Sequence, residues 1–162
     1  MHDTGRSPHR PRRDQLLSLQ EIMTNSKSAI LGFDPGREKC GVAVVASDLM
    51  PVCHQVVPAA RALETIQSLC RQFAVELVVM GDQTSAKAWF EQLTGNLPET
   101  VRVVLVDERY SSLEARERYW QMHPPTGLAR VIPKGMRVPP RPVDDIVAII
   151  LIERYLAQSG LG

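Results

Sequence analysis

One stretch limits the possible fold more than any other: Ala29-Ile30-Leu31-Gly32-Phe33-Asp34-Pro35-Gly36, followed after a short polar turn by Cys40-Gly41-Val42-Ala43-Val44-Val45. An apolar run able to be a buried strand ends in a carboxylate, turns through Pro-Gly, and returns as a second apolar, β-branched run. That is the pattern of a β-hairpin with a longer loop. Asp34 stands at its working end. Taken alone, an Asp before Pro-Gly also fits plain turn chemistry, because Asp bonds its own backbone and Pro presets the turn. The acids farther along the chain decide between the two readings.

After the hairpin, Ser47-Asp48-Leu49-Met50-Pro51 makes a turn into a third strand, Val52 to Val57. From Arg61 to Phe73 the apolar period changes, with Leu63, Ile66, Leu69, Cys70 and Phe73 at helical spacing. Glu76 to Met80 is a short buried strand ending at Gly81-Asp82. Ala86, Trp89, Phe90 and Leu93 trace a second helix, stopped by Gly95 and Pro98. Val101 to Val106 is a fifth strand that runs into Asp107-Glu108-Arg109. Ser111-Ser112-Leu113-Glu114 has the capping-box form, predicting a helix through about Met122 with Glu114 as a cap partner. His123 to Pro142 holds six prolines and two glycines, a long irregular loop of the kind that is usually functional. Val143-Asp144-Asp145 then opens a final helix, apolar nearly all round and therefore largely buried.

The order β-β-β-α-β-α-β-α-α describes an antiparallel meander leading into α/β units, hence an α/β fold with a five-stranded mixed sheet and helices on both faces. At 162 residues, 44% hydrophobic and 23% charged, the chain suits one soluble globular domain, placed at 28–158. Residues 1–27 are polar and Pro-punctuated, which predicts a disordered basic N-terminal arm. Cys40, Cys53 and Cys70 lack metal or disulfide spacing and read as free thiols in a reducing compartment. No apolar run approaches the roughly 18 residues of a membrane span, so the expected location is the cytoplasm, with no membrane partner.

A net charge of +1 carries no global nucleic-acid signature. Its distribution is more informative: Arg130, Lys134, Arg137 and Arg141 lie in the Pro-rich loop without an intervening acid. Acids gather elsewhere. In α/β sheets, sites form outside the carboxyl ends of the parallel strands, which is where Asp34, Asp82 and Asp107-Glu108 fall, with Asp144-Asp145 at the start of the last helix. Crowded carboxylates repel unless a cation neutralises them, and oxygen-only donors suit a hard cation, Mg²⁺ or Mn²⁺. With the basic loop, this predicts metal-assisted hydrolysis of a phosphate backbone, two ions roughly 4 Å apart activating water and stabilising the leaving oxygen.

Each acid also has a structural reading. Asp107 and Glu108 alternate in direction if the strand continues, so only one faces the site, with Glu108 favoured. Asp82 is either a turn residue or a ligand in place of Glu108. Asp144 also fits an N-cap, with Asp145 favoured by the helix dipole. Arg109 either binds substrate phosphate or pairs with a neighbouring acid. Arg37 and Lys39 read as solvated charges, and His54 and His123 give no sign of catalysis.

The motifs Gly-Phe-Asp-Pro-Gly…Cys-Gly-Val-Ala-Val, Val-Asp-Glu-Arg-Tyr-Ser-Ser-Leu-Glu-Ala-Arg and Val-Asp-Asp-Ile-Val-Ala-Ile-Ile-Leu-Ile-Glu-Arg-Tyr-Leu together resemble the YqgF/RuvX family, relatives of the RuvC Holliday junction resolvases, over residues 29 to 157. The resemblance implies an RNase H-like fold and a Mg²⁺-dependent nuclease of the kind assigned to maturation of the 5′ end of 16S ribosomal RNA, and earlier to Holliday junctions. Position by position, its acids correspond to Asp34, Glu108 and Asp144. These are the expected catalytic residues and metal ligands, with Arg109, Lys134, Arg137 and Arg141 as substrate contacts. The chain departs from the family's Gly-Leu-Pro after strand four, with Gly81-Asp82-Gln83-Thr84, and from its short Lys-Gly-Lys, with the longer Lys134 to Pro142. The expected partner is nucleic acid, precursor rRNA or branched DNA, for a monomer or homodimer. A non-catalytic nucleic-acid-binding module is the rival from another class, and a phosphotransferase fragment of the actin/sugar-kinase type lacks a second lobe at this length.

Overall fold

A computed structural model describes residues 28–83 and 85–160. The basic arm expected over residues 1–27 lies outside the described residues. Strands β1 (Ala29–Asp34), β2 (Lys39–Val45) and β3 (Pro51–Pro58) are followed by α1 (Ala59–Gln72), β4 (Val75–Gly81), α2 (Ala86–Asn96), β5 (Arg102–Val106), α3 (Ser111–Met122) and α4 (Asp144–Gln158). The sheet order is β3-β2-β1-β4-β5. The β1–β2 and β2–β3 pairs are antiparallel, while β1–β4 and β4–β5 are parallel, giving the mixed sheet expected from the element order.

Burial on both faces explains why the inner strands read as continuous apolar runs rather than alternating ones. Leu31 and Phe33 of β1, Val42 and Val44 of β2, and Val78 and Met80 of β4 point to one face. There they pack with Ala62, Ile66 and Leu69 of α1 and Leu93 of α2. The opposite side chains, Leu77 and Val79 of β4 and Val106 of β5, meet Ala115 and Tyr119 of α3 and Ile146, Val147, Ile150 and Leu151 of α4. Phe33 is fully buried and meets Trp89 edge-on at 5.0 Å. Truncating it to Ala would cost about 3–5 kcal/mol.

Several boundaries move for identifiable reasons. β3 begins at Pro51, tolerated because β3 is an edge strand. α1 starts at Ala59, directly after Pro58, and the Ala59 N–H donates to the Glu38 carbonyl at 2.9 Å. The Pro-rich loop carries two short 3-10 turns, Gly127–Val131 and Lys134–Met136.

The capping box does not form. Tyr110, in the left-handed region at φ 61°, precedes α3, and no side chain caps the helix. Glu114 instead pairs with Arg154 of α4, whose guanidinium also donates to the Asp107 carbonyl at 2.7 Å. An Arg in reach from another helix outcompetes the local cap, a tertiary partner invisible to local spacing. Among the described residues, no helix is long and apolar enough to cross a membrane. Cys40, Cys53 and Cys70 are all free.

Candidate active site

Because β1, β4 and β5 run parallel, their carboxyl ends share one edge of the sheet. Asp34 is the last residue of β1, and Glu108 stands two residues beyond the end of β5. α4 packs across β1 and β2 and brings Asp144, its first residue, to the same edge. Asp34, Glu108 and Asp144 line one cleft of about 640 Å³. The β1–β2 turn (Pro35, Gly36, Arg37), Gln83, Ser85 and the start of α3 complete its walls.

Two glycines make this convergence possible. A Cβ at position 41 would fall on the Asp144 backbone carbonyl, so Gly41 lets the first turn of α4 sit directly on β2. A Cβ at position 81 would fall on the Glu108 carboxylate, which therefore lies against the end of β4. The β1–β2 turn is held from inside by Cys40, whose thiol accepts from the Gly36 N–H at 3.4 Å and donates to the Gly36 carbonyl at 3.6 Å.

Of the adjacent acids, Glu108 faces inward and is buried, whereas Asp107 is half-buried and pairs with Arg109. Its Oε1 accepts from the Gln83 N–H at 3.1 Å, and the Glu108 N–H donates to Asp82 Oδ1 at 3.3 Å. Asp82 thus braces the Glu108 backbone and is not among the cleft-lining residues. Asp144 makes no side-chain cap bond at the start of α4, which leaves its carboxylate to the cleft.

The electrostatics are those of crowded, desolvated acids. Burial, then the charges of Glu108 and Asp144, push the Asp34 carboxyl up to about 8, and a hydrogen bond between the Asp34 and Glu108 carboxyls adds to the shift. Glu108 is also raised, chiefly by burial, with the bonds from Asp34 and the Gln83 amide opposing. Near neutral pH, Asp34 therefore holds its proton in the absence of a cation. Among the described residues, no three His, Cys, Asp or Glu side chains already stand together as a metal-binding group.

The expected cationic contacts divide into two groups. Lys134 and Arg137 line a second cavity beside the cleft. Arg109 is turned to Asp107 and Arg141 to Asp145, at 3.1 and 3.0 Å. The sequence reading missed the last of these pairs and the role of His54. Asp145 is buried, accepts from Arg141, and bonds His54 Nδ1 of β3 at 2.7 Å. Burial would raise its carboxyl, but the His54 and Arg141 bonds outweigh that and hold it below the usual range. A buried charge in the first turn of a helix apolar all round requires a partner, and that signal was available at Asp145.

Among solved structures, Thermus thermophilus RuvC in complex with a Holliday junction substrate is similar to this chain. The two share 20% identity and a TM-score of 0.52, over 83% of this chain and 97% of that one. A second Thermus thermophilus RuvC structure gives 19% identity and a TM-score of 0.50, over 82% and 96%. Both likenesses concern the fold, which is RNase H-like. No curated protein matches the chain. The family model described as RuvX, Holliday junction resolvase, matches residues 28–158, most of the chain and all of its sheet, and the chain therefore belongs to the RuvX Holliday junction resolvase family.

Proposed function

We propose that this chain is a cytoplasmic, divalent-cation-dependent endonuclease that cuts phosphodiester bonds in structured nucleic acid, with the 5′ end of precursor 16S rRNA as its substrate. The observation that carries the reading is the meeting of Asp34, Glu108 and Asp144, from three separate elements, in one cleft. The donor set fits a hard cation: all three donors are carboxylates, and their mutual repulsion and burial leave Asp34 protonated near neutral pH. Asp34, Glu108 and Asp144 would hold Mg²⁺ or Mn²⁺. Such ions, when bound, supply Lewis acidity at the phosphorus centre and activate the attacking water.

The chain's own residues do the rest. Asp34, at the end of β1, would hold the cation through its ionised carboxylate, the form that burial and the neighbouring acids disfavour in their own right. Glu108 is held in position by the Gln83 amide and, through its own N–H, by Asp82. Ser111 and Ser112 bring the N-terminus of α3 to the cleft, where helix polarity favours a substrate phosphate. Lys134 and Arg137 stand next to it as phosphate contacts. Arg109 and Arg141, each already bonded to a carboxylate, add longer-range attraction.

A second reading, resolution of four-way DNA junctions, is favoured by the family description and by the RuvC neighbour solved with a Holliday junction. The test is cleavage of precursor 16S rRNA and of a four-way junction by wild type and Asp34→Asn, with Mg²⁺ and with EDTA. Mg²⁺-dependent cutting of the RNA, lost in the variant, is expected. Cutting of the junction alone moves the substrate to the second reading. Equal activity of both proteins overturns the mechanism, and binding without metal-dependent turnover makes the chain a non-catalytic module.

A further inference from the structure

Next to the catalytic cleft, and sharing Leu113 with it as a common wall, lies a cavity of about 460 Å³ between α3 and the Pro-rich loop. Its size falls within the roughly 300–1,000 Å³ of small-molecule sites. Leu113 and Trp120 give it an apolar and aromatic side. Arg116, Lys134 and Arg137 give it three cations against one acid, Glu117. Among the described residues, neither Arg116 nor Lys134 forms an ion pair with a carboxylate. Arg137 is fixed in the loop wall by bonds to the Ile132 and Arg130 carbonyls at 2.8 and 3.2 Å.

Trp120 supplies an independent observation. Its ring is braced edge-on by Tyr119 at 5.1 Å, yet its buried indole N–H has no acceptor among the described residues. Buried Trp N–H groups usually find one. A wall that combines an aromatic ring with three cations matches a nucleobase with its phosphate: bases stack on aromatic side chains while cations track the backbone. The shared Leu113 wall makes the cavity the next place along a strand lying in the cleft.

We propose that this cavity receives one unstacked nucleotide of the substrate strand beside the scissile phosphate, its base against Trp120 and its phosphate on Arg116 and Lys134. The inference rests on the nuclease reading, and deepens it by requiring a substrate that is single-stranded or easily unpaired next to the cut.

The test uses the full chain carrying Trp89→Phe, which leaves Trp120 as its only tryptophan. Its fluorescence is titrated with penta-uridylate and penta-thymidylate, and cleavage of the RNA and junction substrates is measured on the same protein. Saturable quenching, weakened about tenfold by Arg116→Glu and unchanged by Arg71→Glu on α1, is expected. Arg116 is exposed, so its replacement leaves the core intact. Absence of saturable quenching, or quenching insensitive to Arg116→Glu, overturns the proposal. Cleavage without quenching removes the nucleotide site and keeps the nuclease. Quenching without cleavage keeps the nucleotide site and removes the nuclease.

Discussion

The backbone carbonyl of Asp144 occupies the space that a side chain would fill at position 41. Gly41→Ala therefore pushes the first turn of α4 off β2 and moves the Asp144 carboxylate out of the cleft. The expected loss is about 1–3 kcal/mol of stability, as for other overpacked sites, with a fall in cleavage rate larger than the stability loss explains. Gly95→Ala is the comparison: nothing lies within 4 Å of its added methyl, and it sits within α2. A gain of about 0.5–1 kcal/mol is expected there. Chemical denaturation and single-turnover cleavage of both variants check the pair.

Asp34 makes the cation-free protein sensitive to alkali. Its carboxyl ionises at 3.8 in the ordinary case and at about 8 in the fold, so between these values the native state holds a proton that the unfolded chain has released. Stability is fully present below the lower value and falls as pH rises towards about 8, by at most about 1.4 kcal/mol per pH unit. Asp34→Asn should flatten this profile and melt above wild type at pH 8 in EDTA. Mg²⁺ should then raise the wild-type melting temperature and leave that of the variant unchanged. Superimposable pH profiles of the two proteins would contradict the account.

Asp145 titrates in the opposite sense. Its carboxyl is held below the usual range, so the stability it contributes is present above that range and is lost as pH falls through the lowered value. Asp145→Asn breaks a buried arrangement with His54 and Arg141, both partly exposed, and should cost about 1–3 kcal/mol at neutral pH. Its acid limb should be shallower than that of wild type. Thermal unfolding between pH 3 and 7 measures both effects.

Much of the fold was legible because the inner strands are apolar throughout, the helices show their own period, and Pro-Gly, Gly81-Asp82 and Pro98 punctuate them, although α2 runs through Gly95, expected as a stop, to Asn96. Strand alternation allowed only one of Asp107 and Glu108 to face inward, with Glu108 favoured, and the structure buries Glu108 and leaves Asp107 half-buried. What could not be read depends on residues distant in the chain. Glu114 has the spacing of a cap, but an arginine 40 residues away takes it. His54 seemed idle because its partner, Asp145, lies 91 residues on. Trp120 fits an ordinary helical position, and only the folding back of the loop around Lys134 makes it part of a cavity.

The three cleft carboxylates are mounted on β1, the end of β5 and the start of α4. On the proposed reading no single stretch of the chain can hold the cation by itself, since each acid comes from a different element, and a cut anywhere between Asp34 and Asp144 separates at least one ligand from the others.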